Sequence, residues 1–233
     1  MPHSFVPRRR IMDLTRDDPA LRAQFRWETF NAVAYKLGGA MFVVGSVCFF
    51  PRFSAWSDLG AWIFFAGSLL YLVVTGHDLL EARRHARGGG RAAREELAAA
   101  LGYVAGTLLF LVGSILFLSW VGLERAGAWC FILGSLLFVL GAVINVLQSF
   151  DAAGPAQLRL LNLTALSYVV GSVLFAVASV PYLWDVPEPD ERALLHAYLA
   201  WQYLIGSLLF LLGGALNYRR AWLLVREALG DAS

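Results

Sequence analysis

The chain has 233 residues, 58% of them hydrophobic and only 15% charged, against roughly 45–50% and about 25% in soluble domains. The net charge of +2 names no partner. The two cysteines, Cys48 and Cys130, lack a CxxC or Cys/His cluster, which argues against a disulfide framework or a zinc site. The apolar excess is gathered into long uncharged runs, the composition of a membrane protein.

Residues 1–16 are polar and basic, and no apolar region follows Arg8–Arg10, so the N-terminus does not read as a cleaved signal. Asp18-Pro19 is a helix start. An Asp cap accepts an orphan N–H, and proline at the first position loses no needed donor. The helix LRAQFRWETF that follows either lies in the interface or runs into the first span, and Trp27 and Tyr35 suit an interfacial belt. Six runs are long enough to cross about 30 Å of hydrocarbon, which takes about 20 residues. They lie near 32–50, 59–78, 98–120, 126–148, 161–183 and 195–217. The expected plan is all-α and a single membrane domain. A mobile basic N-terminus (1–16) precedes an amphipathic helix with a first hairpin (17–82), a second hairpin (98–148), and a third hairpin with a helical tail (157–229).

The cations are distributed unevenly. Fifteen of the nineteen Lys and Arg residues fall in the N-terminal segment, the loops after spans two and four, and the tail; Arg52, Arg125 and Arg192 occupy the other three loops. Lys36 is a few residues inside the fifteen-charge side, within snorkelling reach. Cytoplasmic loops carry such an excess, so both termini are expected in the cytoplasm.

One hairpin pattern recurs three times. The first helix carries Tyr35, Gly38, Phe42, Gly45, Ser46 and Phe49, then Tyr103, Gly106, Phe110, Gly113, Ser114 and Phe117. Its third copy reads Tyr168, Gly171, Phe175, Ala178, Ser179 and Tyr182. The second helix carries Trp62, Phe64, Gly67, Ser68, Tyr71 and Asp78, then Trp129, Phe131, Gly134, Ser135, Phe138 and Asn145. Its third copy reads Trp201, Tyr203, Gly206, Ser207, Phe210 and Asn217. Lipid gives helices little hydrophobic reason to associate, so close packing must do it. Glycine lets backbones approach, an aromatic ring fills the notch, and a period near 3.5 keeps the seam in register. The stripes therefore read as packing seams. Each unit has an even number of spans, so the three hairpins are parallel repeats able to close around a pseudo-threefold axis along the membrane normal. The Pro-x-acid-x-x-base motif of mitochondrial carriers, which also have three two-helix repeats, is absent.

The segments ETFNAVAYKLGGAMFVVGSVCFFP (28–51), GAWIFFAGSLLYLVVTGHDLLEA (60–82) and GAWCFILGSLLF (127–138) resemble the YrhK-like domain family of bacterial membrane hairpins. The resemblance is best in the first repeat. In the third, Ala178 replaces the central glycine and Leu199 the first glycine of the second helix. It implies a bacterial cytoplasmic-membrane location and a hairpin fold, and brings no catalytic residue or substrate with it.

Chemistry-bearing residues are sparse. Asp78, Asn145 and Asn217 share one register and would form a polar ring at the cytoplasmic mouth of the axis if the second helices line it. The plainer reading is polarity at helix ends, where an amide or acid costs little. Apart from Lys36 and Gln202 near span ends, the spans lack the mid-depth ionisable groups that mark pumps and proton-coupled carriers. His3, His77, His85 and His196 do not converge on one side, so neither a haem pair nor a metal site is expected, and Cys48 and Cys130 read as buried free thiols. The acidic loop with Asp185, Glu188, Asp190 and Glu191 reads as solvated with a helix cap. The arginines at 83, 84, 87, 91 and 94 suit anionic headgroups rather than nucleic acid. The sequence therefore suggests a non-enzymatic membrane scaffold or accessory subunit without cofactors, partnered by lipid and by a membrane protein or further copies of itself. The alternative is a passive channel or facilitator for a small solute along the repeat axis.

Overall fold

The computed structural model describes residues 19–149, 155–185 and 188–230, with the side chains before Phe30, beyond Arg219 and at some positions between, Asn217 among them, outside that description. The basic segment 1–16 lies outside the described residues. Six α-helices account for most of the rest: α1 Pro19–Cys48, α2 Ser57–Ala86, α3 Arg91–Leu116, α4 Glu124–Ser149, α5 Pro155–Ser179 and α6 Pro189–Gly230. Short 3₁₀ turns, Pro51–Trp56 and Val180–Leu183, stand before α2 and after α5. Pro19, Pro155 and Pro189 each open a helix, where the missing N–H is one of the orphan donors in any case.

Two elements are longer than hydropathy alone suggests. The basic stretch after the second span stays helical to Ala86 and is helical again from Arg91, because Ala, Arg and Glu are good helix formers whether or not lipid surrounds them. The break is set by Gly89 and Gly90, whose φ of +76° and +111° suit glycine alone. Likewise α1 joins the LRAQFRWETF helix to the first apolar run without interruption.

Among the described residues five helical stretches are long and apolar enough to cross a membrane: Pro51–Ala86, Arg91–Leu116, Glu124–Asn145, Asn162–Leu183 and Pro189–Leu216. Val33–Cys48, within α1, is a shorter apolar helix. Each helix packs on its neighbours in the chain, and α6 returns to pack on α1, so the six close into a ring. The closing contact is specific. Ser46 Oγ and Ser207 Oγ are 3.1 Å apart, Phe50 meets Trp201 edge-on at 5.1 Å, and Lys36 Nζ sits 3.2 Å from the centre of the Tyr218 ring.

The two ends of the ring differ. At one end Trp56, Trp62, Trp120, Trp129, Trp184 and Trp201 are exposed, as side chains of an interfacial belt are. Two polar clasps bind neighbouring hairpins there. Asp58 accepts bonds from the Ser119 N–H (2.8 Å) and hydroxyl (2.6 Å), and Arg125 pairs with Asp185. The opposite end carries the arginine-rich turn between α2 and α3.

Inside, each hairpin forms an aromatic zipper. In the first it runs Phe49–Phe64–Phe42–Tyr71–Tyr35 at centroid steps of 5.2, 5.0, 5.3 and 4.5 Å. In the second it runs Phe117–Phe131–Phe110–Phe138–Tyr103 at 5.1, 5.0, 5.3 and 6.2 Å. In the third it runs Tyr203–Phe175–Phe210–Tyr168 at 5.2, 5.5 and 5.8 Å. The zippers meet across the axis, where Phe64, Phe131 and Tyr203 stand 6.3, 6.3 and 6.4 Å from one another. These separations are within the range for attractive aromatic pairs.

Candidate ligand cavity

The glycines singled out by pattern all face a ring of their hairpin partner. An added Cβ would come within 2.9 Å of Tyr71 at Gly38, 2.6 Å of Phe64 at Gly45, and 3.0 Å of Phe42 at Gly67. It would come within 3.1 Å of Phe138 at Gly106, 2.8 Å of Phe131 at Gly113, and 2.8 Å of Phe110 at Gly134. In the third hairpin Gly171 faces Phe210 at 3.4 Å, and Gly206 faces Phe175 at 2.8 Å. Phe42, Phe110, Phe131, Phe175 and Phe210 are buried, and Phe138 is partly so.

Three of the six seam serines bond back to their own helices, while Ser68 and Ser135, in one register of α2 and α4, have no partner. Ser46, Ser114 and Ser179 donate to the carbonyls of Phe42, Phe110 and Phe175 at 2.7, 2.8 and 2.7 Å, the four-residue back-bond that satisfies a hydroxyl without a partner helix. Ser179 Oγ also lies 2.8 Å from Tyr203 Oη.

Toward the arginine end the aromatic packing opens into a cavity of about 50 Å³, room for a few waters at roughly 10–15 Å³ each on the same measure. Its walls include Tyr35, Tyr103 and Tyr168 from the odd helices and Tyr71, Phe138 and Phe210 from the even ones; Phe42 and Phe110 bound it toward the tryptophan end. Ser68, Thr75 and Thr107 supply further hydroxyls. Thr75 and Thr107 donate to the carbonyls of Tyr71 (2.9 Å) and Tyr103 (2.7 Å). Ser68 Oγ and Tyr71 Oη are buried and have no hydrogen-bond partner, a costly state for a polar atom.

The structure places one member of the expected ring against a residue of this cavity. Asn145 Nδ2 donates to Tyr103 Oη at 3.1 Å. Asp78, half-exposed, stands three residues beyond Thr75 on the same face of α2. The side chain of Asn217 lies outside those described. His77 Nδ1 is 3.9 Å from the Asp78 carboxylate, His85 pairs with Glu96 at 3.3 Å, and His196 stacks near Tyr182 at 5.4 Å. Cys48 and Cys130 are free thiols on different hairpins, packed near Gly60 and Gly113.

Pattern reading singled out Asp78 and Asn145 but missed Ser68 and Thr75 as cavity residues and treated Tyr71 as one more aromatic knob. The available signal was a spacing of three, four and three: Ser68, Tyr71, Thr75 and Asp78 line up on one face of α2.

The fold is an apolar helical membrane protein, and its hairpins define the class. The model of the family described as YrhK-like protein matches residues 25–82 and 94–150, so α1–α2 and α3–α4 are each a YrhK-like unit. No curated protein and no solved structure matches the chain.

Proposed function

We propose that this chain is a non-enzymatic scaffold or accessory subunit of the bacterial cytoplasmic membrane. In this reading all six helices cross, as three parallel hairpins around a pseudo-threefold axis, with the arginine end and both termini in the cytoplasm. The charge asymmetry supports the orientation. The near-equal spacing of Phe64, Phe131 and Tyr203 supports the symmetry.

The observation that carries the scaffold reading is that same triangle, flanked by buried Phe42, Phe110 and Phe175. Rings fill the axis where a solute would have to pass. A passive facilitator is the second reading, favoured by the cavity at the arginine end; it requires the aromatic triangle to part. Flux through liposomes separates the two. The purified full chain is expected to leave small-solute and ion flux at the level of protein-free vesicles, while cross-linking in intact membranes captures a partner protein or further copies of the chain. Flux that rises with protein content, together with no cross-linked species, would overturn the scaffold reading.

A further inference from the structure

Along one line the first hairpin differs from the other two. Where α2 has Tyr71, Thr75 and Asp78, the same register of α4 has Phe138, Ala142 and Asn145, and that of α6 has Phe210, Gly214 and Asn217. Packing alone does not require this difference, because the other two hairpins form their zippers with Phe at the central position. The difference falls on the cavity: Ser68, Tyr71 and Thr75 line it, and Asp78 is three residues further along the same face, at the arginine end.

We infer that this cavity is a binding site for a small organic ammonium ion, with the α2 stripe as its recognition wall. The inference goes beyond the scaffold reading and does not depend on it. Three features select the class. Aromatic rings line the space on the sides away from α2, and a ring met on its face attracts a cation but gains little from a neutral polar solute. Tyr71 Oη and Ser68 Oγ are buried without partners and can each accept an N–H bond. The half-exposed Asp78 carboxyl, three residues beyond Thr75 on the same helix face, supplies the counter-charge at the arginine end. An anion meets the wrong charge there. A volume of about 50 Å³, space for a few waters, limits the head group to a small ammonium of a few heavy atoms.

The repeats themselves provide the variants. Tyr71→Phe, Thr75→Ala and Asp78→Asn each install the residue that α4 already has in that register, so the fold is expected to tolerate all three. Titration calorimetry on the detergent-purified full chain would use methylammonium chloride as probe. Methanol would serve as the neutral comparison, and sodium chloride at matched ionic strength as the bare-cation comparison. The expected result is saturable methylammonium binding, with methanol and sodium at least tenfold weaker. Asp78→Asn should weaken methylammonium at least tenfold, and Tyr71→Phe several-fold. The triple variant should bind none while keeping its helical circular dichroism and its elution volume. Methanol binding as well as methylammonium would make the cavity an uncharged water pocket and overturn the proposal. So would unchanged affinity in Asp78→Asn, or no saturable heat with the native chain.

Discussion

At the residue scale, the same substitution should have opposite consequences at two glycines. A methyl added at Gly206 would meet the Phe175 ring at 2.8 Å and the carbonyl oxygen of Gly171 at 3.1 Å. The ring is itself buried between helices and the carbonyl is backbone, so neither can give way without moving a helix. Gly206→Ala is expected to lose about 1–3 kcal/mol, the usual cost of overpacking. At Gly76 an added methyl meets nothing within 4 Å, and replacing a mid-helix glycine by alanine gains about 0.5–1 kcal/mol in backbone entropy. Thermal unfolding in one detergent should show Gly206→Ala melting below the native chain and Gly76→Ala at or above it. Equal midpoints for the two variants would mean that glycine at position 206 is incidental to packing.

At the element scale, the contact to test is the one that closes the ring. Helices α1 and α6 are far apart in sequence and meet through Ser46 and Ser207, with Oγ atoms 3.1 Å apart. In a chain with Cys48 and Cys130 replaced by alanine, Ser46→Cys together with Ser207→Cys should form an intramolecular disulfide on mild oxidation. The sulfurs need approach only to about 2.05 Å. A faster-migrating band on a non-reducing gel, abolished by reductant, is the expected outcome. Disulfide-linked dimers alone would mean that α1 and α6 meet between molecules. Much of this scale was legible beforehand. The Gly/Phe register aligns Gly45 with Gly113 and Phe42 with Phe110 and Phe175 without gaps, because one physical constraint, close approach in lipid, repeats in every hairpin. Helix ends were less legible. Charge ends a span, but it does not end a helix built of Ala, Glu and Arg, so α2 and α3 run on into the arginine-rich turn. The α2 wall was the least legible. Tyr71 satisfies the aromatic rule as well as Phe138 does, and only packing shows that its hydroxyl is left without a partner beside the cavity.

For the whole molecule, the parity of the crossings decides where the termini lie. Five stretches are long enough to cross on apolar length, and Val33–Cys48 by itself is shorter. Five crossings would put the two ends on opposite faces of the membrane, and six would put them on one. Two observations favour six. Helix α1 has 30 residues, about 45 Å at 1.5 Å per residue, so its backbone can span the bilayer even though its apolar part is short. Lys36 is turned onto the Tyr218 ring at 3.2 Å, so the start of the apolar part of α1 and the far end of α6 share one level of the ring. With six crossings the arginine-rich turn stands with the cytoplasm, where the positive-inside rule puts it. A fluorescent reporter that matures only in the cytoplasm, fused in turn to each terminus, should light up in both fusions, and a periplasm-dependent phosphatase should be inactive in both. Phosphatase activity from the N-terminal fusion alone would leave five crossings and take α1 out of the span count. Activity from both phosphatase fusions would keep six and invert the whole ring, placing Asp78 and the arginine end outside the cell.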